Sequence, residues 1–423
     1  MPTLSRYAPG SAGRASAIPE PGRPPTGYRP DVQVCDTSAQ PIPPGRQVEG
    51  TSFAAVTPNA KSRFGSLEAG RGMAAIAIVL CHAAPFTAGN STFIGAFICG
   101  RSGVDFFFVL SGFIIMSVHH ADMNRPARLT RFLMQRFTRV MPTYWVVLAL
   151  TLLLAQMHLS VMDLVRSVLL PPSDEALPVI VAWSLRYEIV FYALFALLIV
   201  NKRAGVAVFA GWAAWIVLSP AVANTPWLPR SLHAFYNIEF FLGMAAALWL
   251  RNHGVPAPRL VLALGIGLLS LAIAGDVAGV LDYSSDLARL CYGLPSAIIL
   301  LGAVEAERSR LVRVPAGFLF LGKASYSIYL FHKLWLCVAQ DIWNGAGLDS
   351  TLPPIAGFLA LAAAGVAGGV LMAHVVEYPL MRALRKGADR AQTWRRPYWI
   401  PIRPGVDIER PAHAGGGTTE RTA

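Results

Sequence analysis

From about residue 66 to residue 376 the chain alternates long apolar stretches with short polar joints. Windows of about 17–25 residues, the length a helix needs to cross a hydrocarbon core, pick out about ten segments. They lie near 66–86, 103–119, 142–157, 179–200, 204–223, 232–250, 259–281, 287–304, 325–343 and 354–376. The pattern predicts an all-α, polytopic membrane protein with about ten transmembrane helices. Outside this region the pattern stops. Residues 1–62, rich in Pro, Gly, Ala and Ser, bury too little apolar surface to order themselves and are expected to form a disordered cytoplasmic tail. Residues 383–423 read as a second, basic cytoplasmic tail, also disordered, which leaves 63–382 as the membrane domain.

Composition agrees with the pattern. The 423 residues are 54% hydrophobic and only 14% charged, with a mean hydropathy of +0.48, which excludes an ordinary soluble globular chain. The formal net charge is +12 and the sequence pI about 9.8. The basic residues fall mostly in the joints between apolar segments, and no basic helix is interleaved with aromatics, so no nucleic-acid partner is expected. The five cysteines (Cys35, Cys81, Cys99, Cys291 and Cys337) show neither CxxC nor zinc spacing, so no metal and no disulfide framework is expected. The N-terminus lacks the apolar core of a cleavable signal peptide, and the first apolar helix is expected to direct insertion itself.

Charge also sets orientation. Alternate joints hold thirteen Lys and Arg residues, from Arg125 to Lys323, against three, Arg101, Arg166 and Arg230. The positive-inside bias places the first set in the cytoplasm, and with an even number of spans both termini are then cytoplasmic.

Ionisable residues inside apolar segments are costly and usually have a job. RGMAAIAIVLCH carries Arg71 and His82 on one helix face, about three turns and roughly 16 Å apart. Asp105, in GVDFFFVLSGF, starts the next segment on the same outer side. A carboxylate accepting one imidazole N–H would leave the other nitrogen of His82 as a base; a helix-start aspartate and an interfacial histidine is the plainer alternative. In RLTRFLMQRFTRVMPTYW, Arg136 and Arg139 share a face near the cytoplasmic surface and suit phosphate oxygens, with ordinary membrane anchoring as the alternative, and Pro142 is expected to open the third span. In AWSLRYEIVFY, Ser184, Glu188 and Tyr192 share a face, and Glu188 needs a partner from another helix. GKASYSIYLFHKLW carries Tyr329 and His332, and EYPLMR carries Glu377. Glu239 and Asp276 fall in apolar stretches without a local role. No Walker A loop, Rossmann glycine fingerprint, GxSxG elbow or HExxH pair is present.

Taken together and in this order, RGMAAIAIVLCH, GVDFFFVLSGFIIM, RFTRVMPTYW, WSLRYEIVFY, SYSIYLFH and EYPL resemble the integral-membrane acyltransferases of the acyltransferase-3 family, over about 66–382. The WSLRYE form is similar to the exopolysaccharide-acetylating branch. The resemblance implies a bacterial inner-membrane O-acyltransferase that moves an acyl group, commonly acetyl from acetyl-CoA, to a hydroxyl of an exopolysaccharide, cell-surface glycan or glycolipid. It places the family's Arg-x10-His pair on Arg71 and His82, its RxxR motif on Arg136 and Arg139, and its glutamate on Glu188. With the residue patterns above, the catalytic candidates are His82, Asp105 and Glu188; the acyl-donor candidates Arg71, Arg136 and Arg139; the substrate-binding candidates Ser184, Tyr187 and His332. Acyl-CoA would be a co-substrate, with no permanently bound cofactor. Membrane lipid, the glycan acceptor and other polysaccharide-biosynthesis proteins are the expected partners. Family members with an added soluble domain can hand the acyl group onward; this membrane core is expected to finish the transfer itself or feed a separate protein. The alternatives are acylation of a lipid or small hydrophobic molecule, a secondary transporter, or a membrane scaffold.

Overall fold

A computed structural model of the chain describes residues 64–87, 92–222 and 228–390. The expected N-terminal tail, residues 391–423 of the expected basic tail, and Cys35 lie outside the described residues.

Among the described residues the regular structure is helical, with no strand. The long helices are α1 (Gly65–Thr87), α2 (Gly103–His119), α3 (Leu129–Leu154), α4 (Trp183–Val200), α5 (Lys202–Val222), α6 (Tyr236–Asn252), α7 (Pro258–Val277), α8 (Asp286–Arg308), α9 (Ala316–Gly345) and α10 (Pro354–Met372), followed by α11 (Tyr378–Arg390). Each of the expected apolar segments falls on one of α1–α10. Among the described residues, seven helical runs are long and apolar enough to cross a membrane, on α1, α2, α3, α4, α7, α8 and α10. The other expected segments fall on α5, α6 and α9.

Local chemistry sets several boundaries. Ser285 opens α8, its Oγ accepting the Ala288 amide at 3.2 Å, one of the donors a helix start leaves unpaired. Pro258 and Pro354 stand in the first turns of α7 and α10, where a missing N–H costs nothing. Pro142 does not open the third span. It lies inside α3, which begins at Leu129 and so carries Arg136 and Arg139 in its second and third turns. Tyr326 O–H donates to the Val140 carbonyl in the proline-bearing region at 2.7 Å. The boundary expected at 382 falls within α11, which continues to Arg390. A short helix, Val161–Leu169, lies in the joint after α3 and had no counterpart in the apolar pattern.

Pairwise contacts fix helix directions. Gly65 of α1 sits beside Leu319 of α9, Gly72 beside Gly322, and His82 beside His332, so α1 and α9 run parallel. Gly70 lies under Phe106 and Gly103 against Ala74, so α2 runs antiparallel to α1. α2 runs parallel to α4, through Phe108–Trp183 and Ser111–Glu188, and α3 antiparallel to α4, through Phe132–Phe195 and Arg136–Tyr192. The crossing of α2 and α6 is the tightest: a Cβ on Gly243 would lie 1.8 Å from the Val109 carbonyl oxygen, and one on Gly112 2.1 Å from that of Phe240. Without a hydrophobic force between helices in lipid, such small-residue contacts let backbones gain dispersion energy.

Candidate functional site

The stripe that carries Arg71 and His82 faces α9. Arg71 Nε–H donates to Ser325 Oγ at 3.2 Å. Further along the same pair of helices, the His82 and His332 rings lie with centroids 5.0 Å apart, and His332 Nε2 is 3.1 Å from His82 Nδ1. Proton positions follow from the acceptors. His332 Nδ1 lies 2.7 Å from the Tyr329 carbonyl oxygen and 3.2 Å from that of Ile328, so this nitrogen donates and Nε2 is bare. His82 Nδ1–H then donates to His332 Nε2 and to the Ile78 carbonyl oxygen, 3.0 Å away. That assignment leaves a lone pair on His82 Nε2. The His332 side chain is fully buried and His82 partly exposed, which suits a supporting and a reacting imidazole respectively.

Along the same helices, on the Arg71 side, lies a cavity of about 110 Å³ whose polar lining includes Arg71, Arg136, Arg139, Glu188, Tyr192 and Tyr329. Tyr329 joins the two regions: it lines the cavity, its hydroxyl shares a 2.7 Å hydrogen bond with Ser184 Oγ, and its ring centroid is 6.1 Å from that of His332. Three guanidiniums against one lining carboxylate make the cavity electropositive, and each charged group is held by a partner. Arg139 Nη1–H donates to Glu377 Oε1 at 2.6 Å. Glu377 is brought there by a π-helical turn, Ala373–Glu377, the kind of irregularity that often marks a functional position; its other oxygen accepts Ser327 O–H at 2.7 Å. Arg136 Nη2 contacts His119 Nε2 at 3.2 Å. Glu188 accepts the hydroxyls of Tyr192, one turn on, and Ser111, from α2 at 3.3 Å.

The structure thus brings together Arg71, Arg136, Arg139, Ser184 and Glu188 around one cavity; His82 and His332 do not line it and connect to it through Tyr329. It separates two other candidates. Asp105 does not meet His82: it is completely buried and ion-paired to Arg289 of α8, while Tyr283 O–H donates to its second oxygen at 3.1 Å. The cause is register. A helical turn, Thr92–Gly95, and a 3-10 segment, Ala96–Ser102, extend α2 beyond its predicted start. The level of His82 is therefore met by this extension, where Cys81 Sγ–H donates to the Ile98 carbonyl, and Asp105 sits deeper, near Ala74. Tyr283, in the joint before α8, has its phenol pushed well above the ordinary tyrosine value by burial and then by the Asp105 charge, so it remains a donor. Tyr187 packs among Phe108, Trp183 and Tyr236, with ring centroids 5.5–5.7 Å away, and does not line the cavity.

Sequence reasoning missed Arg289, Ser111, Ser325 and His119. Arg289 and His119 carried a usable signal, an ionisable side chain within an expected apolar segment. Among the described residues, no group of three or more His, Cys, Asp and Glu side chains is placed to hold a metal ion.

Comparison with known proteins bears on the same region. The profile of the acyltransferase-3 acyltransferase domain matches residues 64–374. The exopolysaccharide production protein ExoZ of Rhizobium meliloti (strain 1021) is 30% identical over 331 residues, covering 74% of this chain and 97% of the relative. The acyltransferase MdmB of Streptomyces mycarofaciens is 29% identical over 391 residues, covering 82% and 96%. No solved structure matches significantly.

Proposed function

The chain belongs to the acyltransferase-3 family and is a multi-pass membrane acyltransferase, and from that premise we propose that it moves an acetyl group from acetyl-CoA to a hydroxyl of an exopolysaccharide or other cell-surface glycan. The observation that carries the reading is the His82–His332 couple, connected through Tyr329 to a cavity lined by three arginines. Similarity to an exopolysaccharide production protein supports the acceptor class. The charge bias of the joints supports an orientation with both termini in the cytoplasm; in a bacterial inner membrane the Arg136–Arg139 end of the cavity would then face the side where coenzyme A is available.

In this reading Arg136 and Arg139 attract the donor phosphates, and Arg71 guides the thioester end toward His82. Drug-sized ligands occupy roughly 300–1,000 Å³; a cavity of about 110 Å³ admits the thin acyl-thioester end while the nucleotide stays outside. His82 Nε2 takes the proton of the acceptor hydroxyl as its oxygen attacks the thioester carbonyl. The C–S bond then breaks, and the departing sulfur receives that proton from His82, giving an ester and free coenzyme A. His332 keeps His82 in the reactive tautomer and, by accepting from Nδ1–H, favours the transient imidazolium. Glu188 binds acceptor hydroxyls or tunes the field of the arginines. Asp105, paired elsewhere, takes no chemical part.

The test supplies radiolabelled acetyl-CoA and cell-surface glycan extract to the purified full chain in nanodiscs, beside His82→Ala at matched folding. Label entering glycan with wild type alone supports the reading. Equal transfer by both removes His82 from the chemistry. Label entering lipid or a small hydrophobic acceptor instead of glycan moves the acceptor class and keeps the rest.

A further inference from the structure

His119 stands at the end of α2, next to the cavity but outside the chemistry described above. Its side chain is only 3% exposed. On one side, Nδ1 lies 2.9 Å from Asp122 Oδ2, in the turn that follows α2. On the other, Nε2 lies 3.2 Å from Arg136 Nη2. The ring packs edge-on against Phe132, with centroids 4.9 Å apart, and lies 6.4 Å from Phe195. Arginine has donors and no acceptor. The contact with Arg136 therefore requires a bare Nε2, which in turn requires the proton on Nδ1, where the Asp122 carboxylate accepts it.

We infer that Asp122 and His119 form a relay that aims the Arg136 guanidinium into the cavity, making His119 a positioning residue for the anionic part of the acyl donor. The relay adds a third side to the seat: Arg136 lies 5.9 Å from the Phe132 ring centroid and 5.7 Å from that of Tyr192, within cation–π range, and His119 Nε2 accepts from its Nη2. A long arginine held this way loses less rotamer freedom when an anion arrives. The same carboxylate–imidazole logic orients nucleophiles and metal ligands; here the oriented group is a cation.

This inference rests on the donor reading of the cavity, and the experiment separates the two. Binding of coenzyme A to the full chain in nanodiscs is measured by calorimetry for wild type, His119→Phe, His119→Gln, Arg136→Ala and the His119→Phe/Arg136→Ala double variant. His119→Phe keeps the ring and deletes the acceptor; His119→Gln restores an acceptor oxygen. The expected result is about tenfold weaker binding for His119→Phe, the loss of one charge-assisted hydrogen bond, with His119→Gln closer to wild type. In the Arg136→Ala background His119→Phe adds less than about twofold, because contacting residues are non-additive. With acetyl-CoA as substrate, KM for the donor rises and kcat stays within about threefold. Equal, additive losses in both backgrounds, or a Gln variant no better than Phe, overturn the relay. If wild type binds no coenzyme A, the donor reading fails, and the relay is then judged by the ¹⁵N spectrum of histidine-labelled protein. A bare Nε2 at His119 that shifts in Arg136→Ala sustains the relay, and an unshifted or protonated Nε2 ends it.

Discussion

His332 Nε2 lies 3.1 Å from His82 Nδ1, across a pair of helices separated by 250 positions in sequence. A second imidazole thus takes the orienting place that catalytic histidines often give to a carboxylate. The substitution has a chemical consequence. A carboxylate stabilises an imidazolium by charge, whereas a neutral imidazole fixed by the Tyr329 carbonyl offers a hydrogen bond without that charge. In the proposed mechanism the gain His82 draws from this partner is therefore geometric more than electrostatic.

That difference sets the first prediction. His82→Ala should lower kcat by about 10²–10⁴-fold, the range for a general base. His332→Ala should cost less, about 10–10²-fold, since it frees a tautomer without removing the base. His332→Gln, whose amide oxygen can accept from Nδ1–H, should recover part of the loss. The readout is kcat at saturating acetyl-CoA for the three variants; a His332→Ala enzyme as slow as His82→Ala would assign His332 a direct chemical role.

The polar stripes were legible in the sequence because they repeat at helical spacing. Arg71 and His82 share the α9-facing side of α1, and Ser184, Glu188 and Tyr192 all reach the same cavity. Partners across helices were not legible. Nothing local couples His82 to His332, since that contact depends on α1 and α9 running parallel. Asp105 was misplaced because the apolar pattern starts a span at Gly103, while the 3-10 segment Ala96–Ser102 lifts that start away from His82. Glu377 was noticed, but the π turn that aims it at Arg139 has no sequence period to read.

The Asp105–Arg289 pair leads to a second prediction. Both side chains are buried, at 0% and 3% exposure. Asp105→Ala removes the carboxylate that Arg289 pairs with, and breaking a buried pair from one side typically costs about 3–5 kcal/mol. Yield and thermal midpoint should fall sharply. The double variant Asp105→Leu/Arg289→Met should be more stable than Asp105→Ala, and its folded fraction should keep kcat within about fivefold of wild type, since Asp105 pairs with Arg289 and Tyr283 rather than with His82. A large kcat loss in well-folded double variant would return Asp105 to the chemistry.

Arg139 and Glu377 predict a different asymmetry. Glu377 is 1% exposed and Arg139 30%, so the carboxylate depends on the arginine more than the reverse. Arg139→Ala should lower the thermal midpoint and raise KM for acetyl-CoA, because it removes both a cavity cation and the carboxylate's partner. Adding Glu377→Gln to it should recover stability by removing the stranded charge, and leave KM high. Thermal unfolding with donor titration on the same samples separates the two effects. Joint recovery of both would make the arginine purely structural.

The last prediction concerns the scaffold that holds these distances. At Gly243 a methyl group would meet the Val109 carbonyl oxygen at 1.8 Å. This atom belongs to helix backbone and cannot rotate away, so α2 and α6 must part along their length. Overpacking a well-filled contact usually costs about 1–3 kcal/mol, and a backbone clash on this scale should exceed it. Parting α2 from α6 also moves Ser111, which hydrogen-bonds Glu188 at the cavity. Gly243→Ala should therefore reduce folded yield and also depress activity per folded molecule. Gly254→Ala, with open space around its Cβ, is the control for glycine replacement as such. Gel-filtration yield together with specific activity decides the matter: normal activity in folded Gly243→Ala would mean the cavity tolerates displacement of α2, and the geometry of the Glu188 contact would not matter for turnover.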